Sequence, residues 1–301
     1  MNNQTSLLID VGTSTVKIYT LIAGKLSHVK NQTIFFSEGF TPEKGISEIN
    51  FSKLCTLVNE MKSIYDSCEI KIFATAIFRK FFETSKNSFL EAFKMQTGLL
   101  FTIISHAEES KLLEEAYLDK IPSENIMLIN IGGGSTELIF MENKKTQELI
   151  NLDIGVGTIL KQFPTLAEEK TNTLPKEVID FALTKMPVVK SKQRTAFYTG
   201  GELKYMQLAK YPLQNNTIFN DLDHPQVISL NDFAQKNKEI FQTSMSELKK
   251  MMPENPDWMI GSRACSGLAE SICQQYGISL IIPSNMNLIN GVAKRINEVK
   301  E

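Results

Sequence analysis

Between Leu128 and Phe140 an apolar run ends in Gly132, Gly133 and Gly134, passes through Ser135, Thr136 and Glu137, and resumes as a second apolar run. A strand–turn–strand of this composition turns successive backbone amides outward, and such a nest of N–H groups suits an anion. Glycine there permits positive φ and lets a ligand approach the backbone closely. An isolated run of this kind reads equally well as a tight hairpin. It is not isolated: 120 positions earlier, Leu8-Ile-Asp-Val-Gly-Thr-Ser-Thr places Asp10 over Asn130 and Gly12 over Gly132, with Thr13 and Ser14 adding hydroxyls. Two such hairpins facing each other across a cleft would grip a chain of phosphates from both sides.

Other residues with chemistry to offer stand at the ends of apolar segments. Arg79 closely follows the strand-like Ile70–Ala76, and ligands of α/β proteins gather at strand carboxyl ends. A solvated surface arginine is the plain alternative. Glu108 and Glu109 open a helix after the apolar Leu99–Ser105. Acids in a first turn complement the helix dipole; one of them projecting inward would instead be a general base. Gly155-Val-Gly-Thr158 is a second flexible corner, whose following helix would offer amides to an anion. Thr199-Gly200-Gly201-Glu202 is a third.

The elements that position these residues follow from periodicity. Residues 6–22 read as two strands and Lys25–Ser37 as a third, with a helix from Phe51 and another around Phe89–Gln96 stopped by Gly98. A helix opening at His106 runs to about Leu118, and Glu148–Gly155 is a strand. Helices follow at 175–186, 202–210 and 230–251, with a strand at Thr195–Tyr198. A helix from Arg263 to Gln275, a strand at Ile278–Ile282 and a helix at Leu288–Val299 close the chain. Self-similarity at so long a period indicates a duplicated domain rather than a solenoid.

Composition narrows the classes. A chain of 301 residues, 42% hydrophobic and 22% charged, is an ordinary globular protein with room for two cores. A formal net charge of −2 argues against broad binding to nucleic acid or anionic membranes, so a polyanion must be met by a local cluster of donors. The polar Met1-Asn-Asn-Gln-Thr start lacks a signal peptide's features, and no apolar stretch nears the roughly 20 residues that span a bilayer. The expectation is a cytoplasmic protein. Cys55, Cys68, Cys265 and Cys273 lack CxxC spacing and read as reduced thiols. His28, His106 and His224 form no HxxH or HExxH pattern, which disfavours a zinc hydrolase.

Taken in order, the motifs resemble the exopolyphosphatase / guanosine pentaphosphate phosphohydrolase family, in its short two-domain form. The resemblance runs through Asp10 to Thr15, Ala74-Thr75-Ala76 with Arg79, and Ile104-Ser105 with Glu108-Glu109. It continues through Ile131 to Leu138, Gly155 to Thr158, Gly200-Gly201, Arg263 to Ala269, and Ser284 to Gly291. It implies an α/β fold of two actin-like (ribonuclease H-like) domains, with mixed sheets flanked by helices and a cleft between them. One domain would hold 1–119 with 287–301, the other 120–286. It implies a Mg²⁺-dependent hydrolase acting on polyphosphate or guanosine pentaphosphate, with polyphosphate or guanosine penta- or tetraphosphate as its ligand and a homodimer common among relatives. Glu109 would be the catalytic base, and Asp10, Asn130 and Glu137 would lie at the metal. Gly12, Thr13, Ser14, Arg79, Gly132, Gly133, Gly134, Ser135 and Thr136 would hold phosphate. A long polyphosphate would want a basic track, with Lys80, Lys86, Lys190, Lys192, Arg194 and Arg263 available.

This chain departs from the family pattern at Asn130, where Asp is usual, and at Gly12-Thr13-Ser14-Thr15. It departs again at Ser105-His106, where Ser-Gly is usual, and at Ile289-Asn290. The change at 130 keeps an oxygen ligand but removes a charge. Two other readings therefore stand beside the hydrolase: a binding protein that senses polyphosphate or an alarmone, and an ATP-dependent small-molecule kinase.

Overall fold

A computed structural model describes residues 5–121, 125–189 and 193–298. They form two compact units. One runs up to Leu112 and takes up the chain again from Ile289, and the other is Leu113–Leu288.

The first unit opens with β1 (Ser6–Val11), β2 (Thr15–Ile22) and β3 (Lys25–Thr33), followed by α1 (Glu48–Ile64), β4 (Glu69–Ala74), α2 (Glu83–Thr97), β5 (Thr102–Ile103) and the first half of α3 (His106–Tyr117). The sheet order is β3-β2-β1-β4-β5, with β1–β3 an antiparallel meander and β4 and β5 parallel to β1. Every residue of β1 is buried, as a central strand covered on both faces should be. Helix α1 starts ahead of the expected Phe51, because Ser47 caps it by accepting from the Asn50 amide. Gly98, at φ 72°, ends α2 in the left-handed conformation. The apolar stretch after it shrinks to the two residues of β5. The core includes a set of phenylalanines around Phe78, whose ring lies 5.1 to 5.7 Å from those of Phe36, Phe81, Phe89 and Phe101. Phe78 belongs to a 3₁₀ turn, Ala76–Lys80, that Ala76 enters at φ 47°. A non-glycine residue there costs on the order of 1 kcal/mol. The buried Phe78 offsets that cost and so fixes the backbone at Arg79.

The second unit repeats the plan. Its elements are β6 (Ile126–Ile131), β7 (Thr136–Glu142), β8 (Lys145–Leu152), α4 (Val156–Gln162), α5 (Pro175–Leu183), β9 (Thr195–Thr199), α6 (Glu202–Leu208), β10 (Gln214–Asn215), β11 (Gln226–Ser229), α7 (Leu230–Gln242), α8 (Met245–Met251), α9 (Ser262–Tyr276) and β12 (Leu280–Pro283); α10 (Leu288–Glu298) then returns to the first unit. The order is β10-β11-β12-β9-β6-β7-β8. Its β8-β7-β6-β9-β12 portion has the same directions as the first sheet, and β11 and β10 extend the far edge in antiparallel fashion. Two mixed sheets flanked by helices, sharing one five-strand order, are the ribonuclease H-like arrangement that the resemblance implied. A large core packs α4–α9 against one sheet face, and a smaller one covers the other with Leu113, Tyr117, Phe197 and Ile282.

The single helix expected at 230–251 is two. Ser244 accepts from the Glu247 amide, and the Glu247 carboxylate reaches back to the Ser244 amide. This capping box starts α8 afresh. Among the described residues no helix is long and apolar enough to cross a membrane.

Helix α10 meets α3 at Gly291. A Cβ there would lie 2.0 Å from the Leu112 carbonyl oxygen. Gly291→Ala is predicted to lower unfolding stability by about 2–3 kcal/mol, read from the denaturant midpoint at unchanged m-value.

Candidate functional site

In the first unit three parallel strands stop side by side, with Val11, Ala74 and Ile103 in one row of the ladder. The chain leaves that row as the Gly12 turn, the Arg79 turn and Ser105 at the head of α3, so three sets of polar groups emerge from one sheet edge. The Gly12 amide donates to Thr15 O at 3.0 Å and closes the first turn, while Thr13 O and Ser14 O accept from Phe36 and Ile34. The amides of Thr13 and Ser14 donate to nothing among the described residues. The Thr13 hydroxyl is buried with no hydrogen-bond partner among them. An orphaned buried hydroxyl beside two unengaged amides is what an anion site looks like without its anion.

Asp10, next to the end of β1, lies opposite Lys17 of β2. Burial holds its carboxyl up, at about 6, against the pull of Lys17. No side-chain hydrogen bond or ion pair reaches it among the described residues. A desolvated carboxylate without a donor suits a hard cation.

Arg79 Nη1 donates to Glu109 Oε2 at 2.6 Å and to Ile104 O at 3.4 Å, and Nη2 lies 3.1 Å from His106 Nδ1. The guanidinium is thus no solvated surface group, and the Glu109 side chain is only 6% exposed. The two acids at the start of α3 part company. Adjacent helical residues point in different directions, and Glu108 pairs with Arg295 of α10 while Glu109 meets Arg79.

In the second unit the rows Asn130–Thr199 and Tyr198–Pro283 bring β6, β9 and β12 to one edge. The Gly132 amide closes its turn on Ser135 O at 2.9 Å, the counterpart of the Gly12 bond. The amides of Gly133 and Gly134 donate to nothing among the described residues. These glycines do not take positive φ; Gly200 and Gly201 do, at 107° and 118°. Close approach explains the glycines at this corner instead. A Cβ on Gly155 would lie 2.5 Å from Gly132 O. The Val156 and Gly157 amides donate to Gly132 O and Gly133 O. The start of α4, expected to offer amides to an anion, is therefore spent holding the triple-glycine turn.

Glu137 is fully buried. Asn130 Nδ2 donates to its Oε2 at 2.7 Å and Ser135 Oγ to its Oε1 at 2.8 Å. Asn130 Oδ1 accepts from Thr199 Oγ1 at 3.3 Å. Asn130 accordingly presents its NH₂ group, not its oxygen, to the acid beside it. Thr136, expected to contact phosphate, is buried with its hydroxyl donating to Ile154 O. The Gly200 and Gly201 amides donate to Met286 O and Ser284 O. That loop is clamped by a sealed string in which Ser284 Oγ meets Tyr117 OH and His224 Nε2, and His224 Nδ1 meets Asp221. Burial pushes the His224 imidazole below its usual range, so the string is neutral at its centre.

Of the expected basic track, Lys80 and Arg194 are exposed and Lys86 is half-buried beside Glu83, 3.5 Å away. Lys190 and Lys192 lie outside the described residues. Arg263 is fully buried and does not belong to a surface track. Its guanidinium donates to the carbonyls of Leu166, Glu168, Glu169 and Thr243. Sequence reasoning missed the contacts of His106 and Lys17. The register of β1 on β2 would have placed Lys17, since Asp10 and Lys17 pair across a turn centred on Thr13 and Ser14.

A model of the Ppx/GppA phosphatase family matches residues 21–292. Among solved structures, a Ppx/GppA family member from Aquifex aeolicus is 21% identical over 99% of each chain, with a TM-score of 0.71. An exopolyphosphatase from Cytophaga hutchinsonii is 15% identical over 98% of each chain, with a TM-score of 0.80. An exopolyphosphatase-like protein is 14% identical over 99% of this chain and 100% of its own, with a TM-score of 0.76. At these identities the likeness is one of fold.

The Asp10 carboxyl titrates near 6 when folded, against 3.8 as its ordinary value. The folded state therefore binds the extra proton between those values, and the charged form costs stability above them. In metal-free protein, Asp10→Asn is predicted to raise stability at about pH 8 by on the order of 2–3 kcal/mol. The gain should fade to nothing below pH 3.8; thermal melts across pH check it.

Proposed function

Because the chain belongs to the Ppx/GppA phosphatase family, we propose that it is a phosphoanhydride hydrolase. It releases terminal phosphate from inorganic polyphosphate or removes the 5′-terminal phosphate of guanosine pentaphosphate, with Mg²⁺ as its cofactor. The observation that carries this reading is the Arg79–Glu109 pair, set at the same sheet edge as a turn whose Thr13 hydroxyl and two amides lack acceptors.

Glu109 accepts the proton of the attacking water. The water oxygen bonds to the terminal phosphorus as the anhydride P–O bond breaks, and the departing phosphate oxygen keeps the electron pair. A carboxylate held by a guanidinium has a fixed direction, and positioning together with charge stabilisation is most of what phosphoryl transfer asks of a protein. The amides of Thr13, Ser14, Gly133 and Gly134, with the Thr13 hydroxyl, offer donors to phosphate oxygens. Arg79 offsets phosphate charge.

Mg²⁺, when bound, adds positive charge against the phosphoryl oxygens. Asp10 fits it, as a buried carboxylate without a donor. Glu137 accepts from Asn130 and Ser135, while Asn130 would have to turn its amide to contribute oxygen. All four cysteines are free thiols, which supports the cytoplasmic setting.

Phosphate release from polyphosphate, guanosine pentaphosphate and ATP, with and without Mg²⁺, tests the proposal. Glu109→Gln is expected to lower kcat by about 10²-fold or more with ligand binding retained. Release at the parent rate by that variant would overturn the assignment of the base.

A second reading, a binding protein with little turnover, draws on Asn130. Asn130 meets Glu137 with a neutral amide donor, where the family pattern would set a second carboxylate beside it. Asn130→Asp would set two carboxylates in contact. The variant is predicted to lose about 2 kcal/mol of metal-free stability at about pH 8, less below about pH 5, and to recover it with Mg²⁺. Melts that ignore Mg²⁺ would count against this account of position 130.

A further inference from the structure

We infer that the buried string Tyr117–Ser284–His224–Asp221 is an acid-operated device. A proton taken up by His224 reverses both hydrogen bonds at Ser284 and moves a hydrogen onto the Met286 carbonyl, which also accepts from the Gly200 amide.

Counting hydrogens fixes the direction of the string at neutral pH. An ionised carboxylate only accepts. Nδ1 of His224, 2.7 Å from Asp221 Oδ2, therefore carries the proton of the neutral ring, and Nε2 is an acceptor. The hydrogen that fills it comes from the Ser284 hydroxyl, 2.7 Å away. Ser284 Oγ in turn accepts from Tyr117 OH at 2.6 Å and from the Met286 amide at 3.1 Å. Its one hydrogen and two lone pairs are then all engaged.

A proton on Nε2 turns that atom into a donor. Ser284 must accept from it, and the Ser284 hydrogen turns to Tyr117 Oη. Tyr117 then directs its own hydrogen to Met286 O, 3.3 Å away. Each donor in the string again has an acceptor. An O–H···O bond spans about 2.5–3.0 Å, so this last contact must close by roughly 0.3 Å. Met286 O accepts from the Gly200 amide at 3.0 Å, and Ser284 O from the Gly201 amide at 3.1 Å. The movement is thus felt at the Gly200–Gly201 corner, where a Cβ on Gly200 would lie 3.8 Å from Asn130 Oδ1.

The charged groups facing His224 are Asp221 and Asp223, from the loop before β11, and Lys120, beyond α3. Its other neighbours are Tyr117 of α3, Ser284 beyond β12 and the Phe197 ring of β9, 4.7 Å away. Two acids against one lysine leave a negative charge that an imidazolium would cancel. Burial outweighs this attraction and holds the imidazole below its ordinary 6.5. The string therefore runs towards His224 at neutral pH and away from it in acid.

The test titrates the full chain carrying Asp10→Asn, which removes a carboxyl that otherwise titrates at about 6. ¹⁵N NMR of the His224 ring is expected to show Nδ1 protonated and Nε2 bare at about pH 8. On acidification the Gly200 amide shift should follow the His224 curve. Tyr117→Phe leaves the Ser284 hydrogen without that acceptor in the reversed string. His224 should then bind its proton about tenfold more weakly, and Gly200 should no longer follow it. Where Tyr117→Phe does not fold, Ser284→Ala is expected to break the same link between His224 and Gly200. A neutral ring protonated on Nε2 would overturn the inference. So would a Gly200 amide indifferent to His224, a Gly200 response of parent size in either variant, or unchanged proton affinity in Tyr117→Phe. A ring still uncharged when the fold melts in acid would overturn it as well.

Discussion

In both units the site's architecture hangs on one local hydrogen bond, from a glycine amide to the carbonyl three residues on. Gly12 to Thr15 and Gly132 to Ser135 close the β1–β2 and β6–β7 hairpins at 3.0 and 2.9 Å. Once that bond is made, the glycine amide itself is consumed, and the next two amides are left facing away from the sheet. Everything else at each edge works around this fact. Phe36 and Ile34 brace the outer side of the first turn, and the α4 amides brace the second, with Gly155 pressed so close that no side chain fits. A turn that presents bare donors must be rigid, because a mobile one would find acceptors of its own.

The two turns share geometry but not charge. Asp10 faces Lys17, whereas in the equivalent ladder positions Asn130 faces Glu137. In the first unit the acid lies on the first strand, is desolvated and lacks donors. In the second it lies on the returning strand and is held at both oxygens by neutral donors. A buried anion with two good hydrogen bonds is tolerable, while one with none asks for a counter-charge. Duplication has thus been followed by division of electrostatic labour, without disturbance of the backbone that carries it.

Much of this was legible in the chain. Alternating and continuous apolar runs marked the central strands, glycines marked the turns and the ends of α2 and α9, and the long-period repeat pointed to a duplicated domain. Boundaries were harder where capping outweighed periodicity, as at Ser47 and Ser244. The short β10 and β11 carry too few apolar residues to signal, since their pairing partners supply the stability. The part of the site made of backbone could be anticipated from glycine and hydroxyl residues. Its side-chain partnerships could not, because they join segments 25 to 30 residues apart, as with Arg79, Ile104 and Glu109. A serine or threonine hydroxyl gives no hint in sequence of which way it will turn. Thr13 and Thr136 look alike there and differ in the fold.

Arg263 has a consequence of another kind. It carries a positive charge into the interior and meets carbonyl oxygens rather than an acid, drawing in the backbone at Leu166, Glu168, Glu169 and Thr243. Carbonyls belong to every residue type, so this part of the grip does not depend on which side chains those segments carry, although Leu166 is also buried in the core and the Glu169 carboxylate also accepts from Ser246. Position 263 has no such latitude. Lysine lacks the fork, and any neutral residue would strand four acceptors. One side chain thus gathers the backbones of two segments that the Met245 amide and Ser246 also tie together through Glu169.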